Sequence, residues 1–313
     1  MRLIKETKID FMAKSRLALT VSGILIVAGL LSIFFHNGLR LSIDFNGGSM
    51  IAVQYTEDID INEIRSTLSA VTIEGQSYDF SRNEIKHFGD LSTVSLRIPA
   101  LEDQPKNLNQ QIVDFLYNAY PGRVPANKPD FMLSIETVGP KIGAELSGKA
   151  YLSIISALIM ILMYISVRFE FKFALGAIAA LTHDVLITLG VFSILNYEIS
   201  LPVIAAFMTI VGYSLNDTIV IFDRIRENIK GMRGVAYGEI INRSINSSLS
   251  RTIITSVTTF VVVFVLWIWG GEVIHTFAFA MIIGVVVGTY SSIYIASPIL
   301  LMLHDRYGGG KKK

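Results

Sequence analysis

The sequence predicts an α-helical membrane protein with six spanning helices and one α+β domain held outside the membrane. Three observations predict it. The 313 residues are 51% hydrophobic and only 17% charged, whereas a soluble domain carries about a quarter charged residues. Six runs reach the roughly 17–25 mainly apolar residues that a helix needs to cross a bilayer. One long stretch, 36–150, is polar with only short apolar segments. The net charge of +1 supplies no basic field for nucleic acid. The absence of cysteine excludes disulfide scaffolds, cysteine-ligated metal centres and thiol nucleophiles.

The first run, Leu17–Phe35, comes after a basic lead at 1–16. It is too apolar and too long for a cleaved leader, and no small-residue cleavage site precedes Asn37-Gly38. The others are Tyr151–Val167, Ala174–Leu195, Leu201–Phe222, Thr252–Trp269 and Thr276–Leu303, with the five from 151 to 303 expected to form one bundle. The last exceeds a minimal span and is expected to tilt or project. Basic residues alternate between the flanks: Arg2, Lys5, Lys8, Lys14 and Arg16; then Arg168 and Lys172; then Arg224, Arg226, Lys230, Arg233, Arg243 and Arg251; then Arg306 and Lys311 to Lys313. The connections Asn196–Ser200 and Gly270–His275 hold none. By the positive-inside rule, both ends (1–16 and 304–313) and the loop 223–251 lie in the cytoplasm, and 36–150 lies outside. The ten other basic residues all fall in 36–150, a length the rule exempts. Trp267 and Trp269 suit the outer aromatic belt. Within 234–251, Ile240, Ile241, Ile245 and Leu249 among polar residues predict an interfacial helix feeding the fifth span. Asn246-Ser247-Ser248 matches a glycosylation sequon, but on the cytoplasmic side. The tail Gly308–Lys313 carries no structural weight.

In the outer domain, Met50–Tyr55 predicts a strand. Ile61, Ile64, Leu68 and Val71 recur at helical spacing behind Asp60 as a cap. Tyr78–Lys86 and Leu91–Ile98 predict two strands joined by a His-Phe-Gly-Asp turn. Pro105 opens a second helix with Leu108, Ile112, Phe115 and Leu116 on one face, and Phe131–Val138 closes as a strand. The order β-α-β-β-α-β is that of a ferredoxin-like split βαβ module. Its histidines, His36 and His87, are far apart in sequence and no catalytic constellation accompanies them. Such a domain is expected to bind or push a polypeptide rather than cut one. No enzyme activity, metal or cofactor is expected of the chain.

A charge inside hydrocarbon costs about 2.5–3.5 kcal/mol on insertion scales and marks a pathway or a buried partner. Asp184 lies mid-span beside His183. Gly176, Ala180, Asp184 and Thr188 share one face, whose small residues let a neighbouring helix approach. This pair is a second intramembrane polar site, or simply glue between helices. Asp217 adjoins Asn216 near the inner end of the fourth span. Arg251 opens the fifth, with Thr255 and Thr259 continuing a polar stripe. Arg251 either snorkels to headgroups or meets Asp217, whose plainer role is a static interhelical hydrogen bond. In the last span Ala280, Gly284, Gly288, Ser292 and Ala296 repeat at i+4 and predict close helix packing. Gly139-Pro140-Lys141-Ile142-Gly143 lacks the Gly-Lys-Ser/Thr ending of a phosphate loop.

Asp44-Phe45-Asn46-Gly47-Gly48 resembles the DFxGG signature of the SecD/SecF family, and Val138-Gly139-Pro140 resembles the segment ahead of its second span. The run from Gly212 through Asp217 to Asn228 resembles the family's long motif, and Arg251-Thr252 its next segment. The single short outer domain is unlike the larger one of SecD. The resemblance implies a bacterial inner-membrane subunit built as half of an RND-like architecture, with its α+β domain in the periplasm. It implies SecD, the SecYEG translocon, unfolded exported polypeptides and membrane lipid as partners, and use of the proton-motive force late in export. It places proton coupling on Asp217 and Arg251. Asn216 and Thr255 join them by position, and Asp44, Gly47, Gly48, Gly139 and Pro140 would act as hinges of the outer domain. The alternatives are a small-molecule exporter subunit of RND type, which needs a larger outer cavity, and a passive assembly subunit.

Overall fold

The computed structural model describes residues 7–73, 75–100, 105, 107–232 and 234–308. Arg2, Lys5, Arg233 and Lys311 to Lys313, which contribute to the expected orientation, lie outside the described residues. In chain order the elements are α1 (Ser15–Phe35), α2 (Ile43–Asn46), β1 (Gly48–Gln54), α3 (Ile61–Thr67), β2 (Val71–Ile73), β3 (Gln76–Tyr78), β4 (Ile85–Phe88), β5 (Asp90–Ile98), α4 (Leu108–Ala119), α5 (Lys128–Phe131), β6 (Met132–Val138), α6 (Pro140–Arg168), α7 (Phe171–Ile194), α8 (Leu201–Gly231), α9 (Tyr237–Trp269), α10 (Glu272–Ser291) and α11 (Ser297–Gly308). A π turn, Ser292–Ala296, joins the last two. The chain divides into a helical unit, with 152–313 and the residues up to Arg40, and an α+β unit, Leu41–Tyr151.

In the α+β unit the sheet order is β4-β5-β1-β6, antiparallel throughout. This is the ferredoxin-like arrangement that the element order predicts. Alternation sends Ile51, Val53, Leu96 and Ile98 to one face, where α3 contributes Ile64 and α4 contributes Ile112 and Leu116. Asp60 caps α3, accepting from the Asn62 N–H at 2.8 Å. Two expectations are corrected. The segment Tyr78–Lys86 is not one strand: β3 ends at Tyr78 and pairs with β2, while β4 starts at Ile85. Between them the Asp79 carboxylate accepts from the Ser81 N–H at 2.9 Å, which turns the backbone off the ladder. The second helix starts at Leu108, not at Pro105.

Among the described residues six helices, 21 to 33 residues long, are apolar enough to cross a membrane. They fall into two groups. About half of the most apolar window of α7, of α8 and of the α10–α11 helix is buried in the unit, against 6–17% for α1, α6 and α9. Glycine contacts set the closest approaches. A methyl added at Gly29 of α1 would lie 2.6 Å from the Gly190 Cα of α7, so these backbones touch as small residues permit. A methyl on Gly284 of α10 would collide with Ile210 of α8 and one on Gly176 of α7 with the Ala296 carbonyl, while one on Gly288 would lie 3.1 Å from the Ser214 Cβ. The i+4 stripe therefore faces two helices.

Two further expectations are corrected. Residues 223–251 do not form a loop, because α8 runs to Gly231 and α9 begins at Tyr237. Nor is 234–251 an interfacial helix. It continues unbroken into the fifth span, since no proline or glycine separates Leu249 from Thr252. Ile240, Ile241, Ile245 and Leu249 are buried in the protein, not laid on lipid. The last span contains the π turn, Ser292–Ala296. Pro298 has no N–H to give the Tyr294 carbonyl, and the Ser297 hydroxyl instead bonds the Ser292 carbonyl at 3.0 Å. Such π turns widen a helix locally.

Candidate functional site

The inner helices carry two buried carboxyl groups. Asp184 of α7 is 1% exposed. Its Oδ2 accepts from the Ser214 hydroxyl of α8 at 2.5 Å and from the Ser291 hydroxyl of α10 at 2.8 Å. Its Oδ1 lies 2.9 Å from His183 Nδ1. Ser214 and Ser291 are fully buried and His183 nearly so. One carboxyl thus joins three helices with every oxygen engaged, the arrangement that makes a buried polar group tolerable. The His183 ring stacks on Tyr290, at 6.0 Å between centroids. The Tyr290 hydroxyl donates to the Ala18 carbonyl of α1 at 2.9 Å.

Asp217 lies three residues after Ser214 on α8 and is 3% exposed. Its Oδ2 is buried with no hydrogen-bond partner among the described residues, and so are the hydroxyls of Thr218 and of Thr252 on α9. Arg251 is exposed on α9, and no ion pair within 4.0 Å joins it to Asp217. Asn216 faces outward. The Thr255 hydroxyl bonds the Arg251 and Thr252 carbonyls of its own helix at 3.1 and 2.9 Å. Asp217 is therefore the lone buried acid on α8, with Asn216 and Thr255 turned to other surroundings. Further along the same motif, Asp223 receives Arg168 of α6 at 2.8 and 2.9 Å, and both Arg168 and Arg226 lie over the Phe169 ring.

Sequence reasoning missed Ser214 and Ser291 as partners of Asp184. Ser214 is inside the long motif, and Ser291 adjoins the small-residue stripe, but neither position signals a carboxyl on a third helix. It also missed a clasp on α9. The Asn246 side chain accepts from the Ile9 N–H at 2.9 Å and donates to the Ile9 carbonyl at 2.8 Å. Asn242 accepts from the Phe11 and Met12 N–H groups at 3.0 and 3.1 Å. Phe11 is buried edge-on to Tyr294 in the π turn. The asparagine that matched a sequon thus holds the segment ahead of α1.

In the α+β unit the two glycine motifs meet. A methyl on Gly143 would lie 3.0 Å from the Gly47 nitrogen and the Phe45 carbonyl, and one on Gly47 would lie 3.0 Å from Pro140 Cα. Gly47 and Gly48 take φ of 72° and 128°, which only glycine adopts readily. A methyl on Gly48 would strike the Ile98 carbonyl. Asp44 lies in α2, where the Ser42 hydroxyl donates to its Oδ2 at 3.0 Å. A methyl on Gly139 would meet nothing.

Two family models match the chain: "Protein export membrane protein SecD/SecF, C-terminal" over residues 126–306 and "SecD/SecF GG Motif" over 32–59. A protein translocase subunit SecF from Calditerrivibrio nitroreducens is 43% identical over 307 residues, 97% of each chain. Another from Vibrio alginolyticus is 42% identical over 95% of this chain and 90% of the relative. The crystal structure of SecDF from Thermus thermophilus, described as a translocon-associated membrane protein, superposes with a TM-score of 0.82 at 34% identity. That match covers 96% of this chain but 39% of the SecDF chain. SecDF in its super-membrane-facing form matches with a TM-score of 0.70 at 33% identity, over 99% of this chain and 40% of the other.

Proposed function

Since the chain belongs to the SecD/SecF family of protein-export membrane proteins, we propose that it assists late export through the SecYEG translocon, driven by the proton-motive force. It is a multi-pass protein of the bacterial inner membrane and a SecF-type subunit that partners SecD. Both ends face the cytoplasm in this reading, and the α+β unit stands in the periplasm, where it binds emerging polypeptide and prevents backsliding. The chain makes and breaks no covalent bonds; its work is mechanical.

The observation that carries the reading is the Asp217 carboxyl, buried in the inner helix α8 with Oδ2 unpartnered. A charge there is held at a cost in a low-dielectric interior. A proton arriving removes that charge, and the α8–α9 contact around Thr218 and Thr252 repacks. Arg251, on the neighbouring helix, supplies the positive charge that favours the ionised form when it approaches. One charge falling through 100 mV releases about 2.3 kcal/mol, and 1.4 kcal/mol is tenfold in an equilibrium. A single proton therefore biases a two-state rearrangement more than tenfold. The test is Asp217→Asn in the complex with SecD, reconstituted with SecYEG. Assembly is retained and proton-driven completion of translocation is lost; wild-type export by that variant overturns the reading.

A further inference from the structure

We propose that Asp184 is a positioning residue: its carboxylate clamps α8 and α10 in the rotation that keeps Asp217 buried. The proposal rests on Asp217 as the proton-accepting group, and the geometry around Ser214 and Ser291 carries it.

A buried carboxyl oxygen without a partner bears its full desolvation cost, which a hydrogen bond would offset. Left free, α8 would turn about its axis to bring Asp217 toward a donor or solvent. Something has to hold it, and the nearest fixed point on α8 is Ser214, one turn earlier. Its hydroxyl is bonded to Asp184 at 2.5 Å, and its Cβ faces Gly288 of α10, where an added methyl would lie 3.1 Å away. The same Asp184 oxygen takes Ser291 of α10 at 2.8 Å. The clamp thus fixes both rotation and separation of the two helices. It also has a built-in means of yielding. Ser291 is the last residue before the π turn. Converting a π turn to α-helix shifts the register of α10 against α11, which would draw Ser291 along its helix and away from Asp184. Tyr290, stacked on His183, and Tyr294, packed on Tyr290 at 5.2 Å, would be carried with it.

The chain has no cysteine, so with a cysteine-free SecD one spin label reports one site. The experiment uses the complex with SecD, labelled at Thr209→Cys, an exposed position on α8, with Val262→Cys on α9 as the reference. In the Ser214→Ala/Ser291→Ala variant the label on α8 is expected to change its access to lipid-soluble oxygen at least twofold, while the α9 label is unchanged. The protonated-carboxyl infrared band lost in Asp217→Asn is expected to move in frequency in the same variant, and proton-driven export to fall at least tenfold. Ser291→Ala alone is the milder variant and should show the same changes, smaller. An unmoved α8 label in both variants overturns the clamp and leaves Asp184 as glue, whatever Asp217→Asn does. If instead Asp217→Asn loses no band, the proton reading fails, and the label still decides whether the clamp exists.

Discussion

Asp184 and Asp217 lie in adjacent helices at almost the same burial, 1% and 3% exposed, and differ in everything else. Asp184 has hydroxyls from two other helices and an imidazole beside it. Asp217 has a buried oxygen with nothing bonded to it among the described residues. Burial alone therefore does not separate the two acids; the number of hydrogen-bond donors around each does. A carboxyl with its partners built in gains little from a change of charge. One without them is poised to change, and the fold has to hold it there.

The largest expected effect breaks the comparison if it fails. Asp184→Leu leaves Ser214 and His183 without that acceptor and Ser291 with only the Gly288 carbonyl of its own helix, and should lower the stability of the SecD complex by about 3–5 kcal/mol, read by thermal unfolding in detergent. Asp217→Leu removes no hydrogen bond and should leave stability unchanged or raised. Equal losses in both variants would mean that the two acids are structural alike. Next in size, Ser291→Ala deletes one hydrogen bond to the carboxylate and should cost about 1.5–3 kcal/mol in the same measurement. The smallest effect sharpens the boundary of the site. The Thr255 hydroxyl is spent on its own helix, so Thr255→Val should stay within about 0.5 kcal/mol of the parent. A larger loss would return that hydroxyl to the polar stripe that its i+4 spacing suggests.

The spans were legible because hydropathy reads the bilayer directly. The polar ends of α8 and α9 were not, because polar residues beyond the apolar runs continue both helices, with no proline or glycine at 223–230 or 239–251 to stop them. The α+β fold was legible from the order of its strands and helices, down to the Asp60 cap. The β2–β3 hairpin was not, since three-residue strands hold too little pattern to separate from a loop. Asp184 was visible as a buried acid by the small residues of its face, yet its donors lie 30 and 107 residues away, and no local spacing encodes such a meeting. The glycines of Asp44–Gly48 read as flexible joints, whereas Gly47 and Gly48 take turned backbone and admit neighbours at contact distance. Pro298 was the one overlooked letter that announces the π turn.

The clasp on α9 has a consequence for the order of assembly. Asn246 grips residues 237 positions earlier in the chain, and Phe11 seats against Tyr294, later still. Long-separated contacts close late. During synthesis the segment before α1 must therefore wait, unseated, until the ribosome has delivered nearly every span. Its docking is then the last stitch, the step by which an unfinished bundle becomes distinguishable from a finished one.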